Sequence, residues 1–90
     1  MTTMPNKLTI YGKDNCYWCK EAKSLAERYS LNFTYKNVGT AEIRNEMFEL
    51  VPDSKTVPQV FWNGRHIGGY NEFSTEIEDT LGANAGQGLF

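Results

Sequence analysis

Lys13-Asp14-Asn15-Cys16-Tyr17-Trp18-Cys19-Lys20 holds both cysteines of this 90-residue chain. On its N-terminal side, Leu8-Thr9-Ile10-Tyr11 has the β-branched and aromatic content of a short strand, and Gly12 with the polar Lys13-Asp14-Asn15 supplies a turn. On its C-terminal side, Ala22, Leu25, Ala26 and Tyr29 fall at i, i+3, i+4 and i+7, and Lys20, Glu21, Lys23, Ser24, Glu27 and Arg28 take the opposite face. The stretch is therefore a strand-to-helix junction with Cys16 at the helix start. A helix N-terminus carries unpaired N–H groups and roughly +0.5 of an elementary charge, which favours a thiolate over a thiol. A redox-active dithiol is the first expectation.

Outward from the junction, the amphipathic helix spans Tyr17 to Tyr29, with Arg28 in its last turn complementing the helix dipole. Phe33-Thr34-Tyr35-Lys36-Asn37-Val38 alternates apolar and polar residues, the period of a strand. Two strands flanking a helix make a right-handed βαβ unit with parallel strands. Thr40 is placed as the N-cap of a second helix whose buried stripe is Ile43, Met47, Leu50 and Val51, ended by Pro52-Asp53-Ser54-Lys55. Thr56 to Trp62 reads as a strand, Asn63-Gly64 as a two-residue hairpin turn, and Arg65-His66-Ile67 as the returning strand. Gly68-Gly69 breaks it, and a third helix from Asn71 to Leu81 buries Phe73, Ile77 and Leu81, with Gly82 as its cap. The order β-α-β-α-β-β-α predicts an α/β domain with a four-stranded mixed sheet and helices on both faces. One domain, residues 7–82, lies between a flexible lead-in, residues 1–6, and a glycine-rich flexible tail, residues 83–90.

Composition narrows the function. Nine Lys+Arg against eleven Asp+Glu give a formal charge of -2, and no basic block exists, which disfavours nucleic acid as a partner. No apolar run approaches the ~18 residues of a membrane span, and the N-terminal residues lack the apolar stretch of a secretion signal. A cytoplasmic protein is expected, and in a reducing compartment a lone C-x-x-C is more often catalytic or metal-binding than structural.

The C-x-x-C spacing alone serves zinc, iron–sulfur and dithiol chemistry. A tetrahedral zinc site needs four ligands, and this chain has two Cys and one His. A structural disulfide at this spacing would close too short a loop to stabilise much. At a helix start the first sulfur faces outward near N–H donors, and the second lies a turn further on and points inward. Cys16 is thus the expected attacking thiolate and Cys19 the resolving thiol, with the Cys16 pKa drawn down from ~8.5 toward about 3.5–7.5. Lys13 and Lys20 stand nearby as positive charges or as solvated surface lysines. His66 reads as a strand residue with no catalytic part, Trp62 as sheet packing, and Trp18 as an aromatic for partner docking at the rim of the reactive sulfur.

Three blocks together resemble the signature of dithiol glutaredoxins, closest to the small bacterial type: Tyr11-Gly12-Lys13-x-x-Cys16-x-x-Cys19, Thr56-Val57-Pro58-Gln59-Val60-Phe61, and His66-Ile67-Gly68-Gly69-Tyr70-Asn71-Glu72-Phe73. The resemblance spans roughly residues 7 to 81 and implies a thioredoxin-like fold, with glutathione as reductant and no metal requirement. It further implies a glutathione groove beside Cys16. Lys13 would contact the glycyl carboxylate, Tyr11 and Gln59 would line the groove, and Tyr17 and Thr56 would belong to the same contact set. A cis Val57-Pro58 bond would leave the Val57 backbone free to pair with the glutathione cysteine. Gly69 and Tyr70 would give close backbone approach, and Asn71 and Glu72 would hold the γ-glutamyl amino and carboxylate groups at a helix start. The implied activity is a monomeric thiol–disulfide oxidoreductase reducing protein disulfides and glutathione mixed disulfides, ribonucleotide reductase being a plausible client by resemblance only. Two alternatives stay open: a glutathione-ligated iron–sulfur cluster held between two copies, and a protein reduced by thioredoxin reductase. The sequence departs from the family at Tyr17-Trp18, where Pro-Tyr is usual, and at Glu72, where Asp is usual.

Overall fold

The structure, a computed structural model, describes residues 7–82. Its elements are β1 (Leu8–Gly12), α1 (Tyr17–Arg28), β2 (Phe33–Asn37), α2 (Ala41–Leu50), β3 (Gln59–Trp62), β4 (Arg65–Gly68) and α3 (Tyr70–Ile77), followed by a wider helical turn over Glu78–Gly82. The sheet order is β2-β1-β3-β4. β1 and β2 are parallel, from Leu8 opposite Phe33 to Gly12 opposite Asn37. β3 runs antiparallel to β1, and β4 returns along β3. This is the expected mixed sheet. The hairpin turn places Asn63 at φ 55° and Gly64 at φ 82°, the pair of positive values that a tight two-residue turn requires.

Alternation along the central strands divides the core. Leu8 and Ile10 of β1, with Val60 and Trp62 of β3, meet Ala22, Leu25 and Ala26 of α1 and Phe73 and Ile77 of α3. On the other face Tyr11 packs with Met47, Val51 and Val38, and Phe61 and Phe48 lie against them. The sheet therefore has α1 and α3 on one side and α2 on the other. Tyr29 ends α1 by donating its N–H to the carbonyls of Leu25 and Ala26, and Ser30 at φ 58° turns the chain away.

Several local expectations are corrected. Leu50 is 52% exposed, because α2 ends there and Val51, four residues after Met47, takes the inward place with a non-helical backbone. Thr40 holds the N-cap position of α2, but its hydroxyl makes no capping hydrogen bond. The strand expected from Thr56 starts only at Gln59, after a cis Val57-Pro58 peptide bond, and β4 runs on through Gly68. α3 begins at Tyr70 with Gly69 as its cap, and the Glu72 carboxylate accepts the Gly69 N–H at 3.0 Å. Regular helix stops at Ile77, short of the expected Leu81, and the Glu78–Gly82 turn stands where a Gly82 cap was expected. The lead-in over 1–6, the tail over 83–90 and the burial expected of Leu81 lie outside the described residues.

Candidate active site at the start of the first helix

The redox junction is held by backbone geometry from both sides. Val38 donates its N–H to the Gly12 carbonyl at 2.8 Å, and the Tyr35 hydroxyl donates to the Lys13 carbonyl at 3.0 Å. Asn37 donates from its side-chain amide to the Asp14 carboxylate at 3.2 Å. Asn15, at φ 57°, then turns the chain into α1. A short Asn tolerates this left-handed conformation better than most side chains. β2 thus braces the loop that β1 delivers.

Cys16 is the N-cap of α1, with an extended backbone, and its Sγ accepts the Cys19 N–H at 3.2 Å. That bond uses one of the donors that a helix start leaves without an intrahelical partner. Cys16 and Cys19 are joined as a disulfide, with Cα atoms 5.2 Å apart. Their surroundings differ. Cys16 is partly exposed, whereas Cys19 has no exposed surface and belongs to the buried face of α1. An incoming sulfur can reach only the first of the pair.

A cleft of about 320 Å³ opens beside this turn, lined by Trp18, Thr56, Val57, Pro58, Gly69, Tyr70, Asn71 and Glu72. Residues from three separate stretches meet there. The cis bond before Pro58 carries Thr56 and Val57 along the cleft wall, and the start of α3 supplies the opposite side. Trp18 and Tyr70 close one end with ring centroids 5.1 Å apart, and Tyr17 packs edge-on against Trp18 at 4.8 Å. Tyr17 and Trp18 remain 63% and 51% exposed, so the turn presents an aromatic rim to solvent.

Lys13 lies elsewhere. It lines a neighbouring cavity of about 230 Å³ with Lys55, Arg44, Val38, Met47 and Phe48, and this cavity adjoins the first at Val57, which lines both. Neither Lys13 nor Lys55 pairs with a carboxylate among the described residues, and Arg44 donates to the Val38 carbonyl at 3.2 Å. Lys55 was not singled out in the sequence; its place directly before Thr56 was the available signal. Trp18, read as a docking aromatic, is a cleft wall as well.

Two residues expected in the groove are turned away from it. Tyr11 is 3% exposed and lies on the α2 side of the sheet, where its hydroxyl donates to the Glu46 carboxylate. Lys36 donates to the same oxygen at 2.6 Å. Burial, reinforced by the Glu46 hydrogen bond, pushes the Tyr11 phenol far above its ordinary range. The Lys36 and Tyr11 hydrogen bonds in turn hold the Glu46 carboxyl below the usual carboxylate value. Gln59 is 5% exposed and lies behind the Thr56 segment. Its amide donates to the Thr56 carbonyl at 3.0 Å and lies 3.4 Å from the Thr56 hydroxyl.

Among the described residues no group of three or more His, Cys, Asp or Glu side chains stands together as a metal site, and no helix is long and apolar enough to cross a membrane. The family model described as Glutaredoxin matches residues 8–67. Glutaredoxin 1 of Escherichia coli strain K12 is 32% identical over 81 residues, covering 82% of this chain and 95% of that protein. The solved structure of reduced E. coli glutaredoxin superposes with a TM-score of 0.74 at 30% identity, covering 86% of this chain and 99% of that one. Glutaredoxin 1 of Francisella tularensis, solved with cacodylate, gives a TM-score of 0.73 at 25% identity over 86% of this chain and 98% of that one. A cysteine pair at the start of a helix on a thioredoxin-like sheet is thus accompanied by sequence similarity along most of its length, and the chain belongs to the glutaredoxin family, the oxidoreductases that use glutathione.

Proposed function

We propose that this protein uses glutathione to reduce protein disulfides and glutathione mixed disulfides, with Cys16 as attacking thiolate and Cys19 as resolving thiol. The observation that carries the reading is the asymmetry of the pair: a partly exposed sulfur at the N-cap accepting a backbone N–H, and a fully buried sulfur one turn on. The N–H and the helix dipole stabilise the Cys16 thiolate before attack. In the dithiol route that thiolate attacks one sulfur of a client disulfide, and the other sulfur leaves as a thiolate. Cys19 then attacks Cys16 Sγ, releasing the reduced client and closing the Cys16–Cys19 disulfide. A glutathione thiolate opens that bond at Cys16, and a second glutathione removes the first as glutathione disulfide. The monothiol route uses only Cys16: it takes glutathione from a glutathionylated client, and a further glutathione regenerates the thiolate.

Charge complementarity supports a tripeptide lying along the two adjoining cavities. Glutathione carries a carboxylate at its glycyl end and an ammonium with a second carboxylate at its γ-glutamyl end. Lys13 and Lys55 favour the first, while the α3 N-terminus and Glu72 suit the second, with the Val57 backbone between them. Asn71 and Glu72 open α3, where the N–H groups suit a carboxylate and the Glu72 side chain suits the ammonium. Action in the cytoplasm, where glutathione stays reduced, belongs to the same proposal.

The test is a coupled assay in which NADPH, glutathione reductase and glutathione drive reduction of a small glutathione mixed disulfide. NADPH consumption no faster than without the protein sinks the reading. Cys16→Ser should abolish both routes, and Cys19→Ser should spare the monothiol one. Loss of both in Cys19→Ser would reverse the roles of attacker and resolver.

A further inference from the structure

Gln59 is the one polar or charged side chain classed among the buried residues of the described structure. It opens β3 opposite Tyr11 of β1, directly after the cis Val57-Pro58 bond. No backbone–backbone hydrogen bond among the described residues involves Thr56, Val57 or Pro58, although all three line the cleft. Pro58 has no N–H to give. The segment that forms the cleft wall therefore lacks the ladder that fixes the rest of the sheet, and a buried amide stands directly behind it.

Each polar atom of that amide is committed. Nε2 donates to the Thr56 carbonyl at 3.0 Å, with the Thr56 hydroxyl at 3.4 Å, and Oε1 lies 2.7 Å from His66 Nε2. A flipped amide would set Oε1 against the Thr56 carbonyl, two acceptors face to face, so the partners fix its orientation. Oε1 only accepts, and the His66 ring must therefore donate from Nε2. The ring rests on Phe61, with centroids 4.9 Å apart and planes tilted by 32°. A register shift in β3–β4 sets His66 opposite Phe61 while Val60 faces Gly68. His66 thereby stands on the sheet face that Phe61 shares with Gln59, two residues away.

We propose that Gln59 is a positioning residue for the reaction, locking the Thr56-Val57 backbone in the shape that pairs with glutathione, and that His66 is the donor that holds the Gln59 amide in the required orientation. With the Thr56 carbonyl tied back to Gln59, the Val57 backbone is left to face the ligand. The ordering cost of the wall is met in the free protein, so it is not charged against binding. This rests on the reading of the cleft as a glutathione site. Neither residue touches the reacting sulfurs.

The test compares Gln59→Leu, which keeps the side-chain volume but removes donor and acceptor, with His66→Phe, which keeps the stacking on Phe61 but removes the Nε2 donor. Thr56 and His66 are both exposed, so water can replace the lost partners and both variants should fold. In the coupled assay, KM for the glutathione mixed disulfide should rise about 5–20-fold in Gln59→Leu and about 2–5-fold in His66→Phe, with kcat nearly unchanged, as expected for loss of net hydrogen-bond contributions. The double variant should match Gln59→Leu, because both changes act through one amide. Alkylation of reduced Cys16 by iodoacetamide, which makes no use of the cleft wall, should keep its wild-type rate in every variant. The Thr56 and Val57 amide signals in a ¹⁵N-correlation spectrum should move in both single variants.

A KM in Gln59→Leu within twofold of wild type, additive effects in the double variant, or a parallel fall in alkylation would each overturn the proposal. If Gln59→Leu fails to fold, the KM and amide shifts of His66→Phe decide alone. Absence of glutathione-dependent turnover in the wild type would instead defeat the functional reading, and the amide signals would still decide whether Gln59 and His66 position the wall.

Discussion

Gly12→Ala should destabilise this protein through a single side chain, Tyr35. Gly12 is the last residue of β1 and hands the chain to the redox loop. A methyl group there would overlap the Tyr35 hydroxyl and approach two ring carbons at 2.7 and 2.9 Å, distances that real contacts do not reach. The Gly12 backbone is not in the left-handed region, so the cost of a side chain here lies in displacing the Tyr35 ring. Overpacking of this kind costs about 1–3 kcal/mol. Displacing the ring also breaks its hydrogen bond to the Lys13 carbonyl, adding roughly 0.5–1.5 kcal/mol. Against this, alanine restricts the unfolded chain and returns about 0.4–1 kcal/mol. The net expectation is a loss of about 0.5–4 kcal/mol, measured by urea denaturation with an unchanged m-value. The control is the same substitution in a Tyr35→Ala background, where the space is empty. There the cost should vanish or change sign, leaving a coupling larger than about 1 kcal/mol. Equal costs of Gly12→Ala in the two backgrounds would refute the steric argument and with it the claim that Tyr35 braces the loop.

Two further outcomes are expected. Phe73 has no exposed surface and meets Trp62 edge-on at 5.9 Å, so Phe73→Ala should cost about 3–5 kcal/mol; at about 4–8 °C per kcal/mol in a domain of this size, thermal unfolding followed by circular dichroism should show a fall of at least roughly 12 °C, and a fall of a few degrees would contradict the packing described. The Glu46 carboxyl is held below its ordinary value by Lys36 and Tyr11, so its stabilising contribution is present above the carboxylate value of 4.5 and is lost as pH falls through the folded-state pKa. The stability gap between wild type and Glu46→Gln, measured by urea titration, should therefore be widest near neutrality and narrow in acid; a gap that widens on acidification would reverse the sign. Tyr11 works in the opposite sense: raised above the phenol value of 10.0, it favours the fold below that pH, and the contribution fades as pH climbs beyond it.

The element order and the redox junction were legible in the sequence because they rest on local periodicity. Ala22, Leu25, Ala26 and Tyr29 mark one face of a helix whatever packs on it, and Asn63-Gly64 specifies its turn from two residues. Cys16 as helix start follows from the polar turn before it and the amphipathic run after it. Boundaries failed where a distant contact took over. Leu50 fits the stripe of α2 by spacing, yet Val51 claims the buried place when the helix ends. Thr56 has the strand character of its neighbours, yet β3 starts only at Gln59 and the Thr56 carbonyl accepts from the Gln59 amide instead of a neighbouring strand.

Residue pattern alone yields a helix-capping dithiol on a mixed sheet, and the family resemblance marks the three stretches around it. Which members of those stretches face the cleft follows from how strands and helices pack. β1 and β3 are central strands covered on both sides, so alternation assigns Tyr11 and Gln59 to a face without saying that both are buried there and line no part of the cleft. Helix α2 covers Tyr11, and the β3–β4 register shift brings His66 to Gln59. Trp18 meets Tyr70, and Lys13 shares a cavity with Lys55, across more than forty residues of chain. Such meetings depend on how helices seat against a twisted sheet, and no spacing in the sequence encodes them.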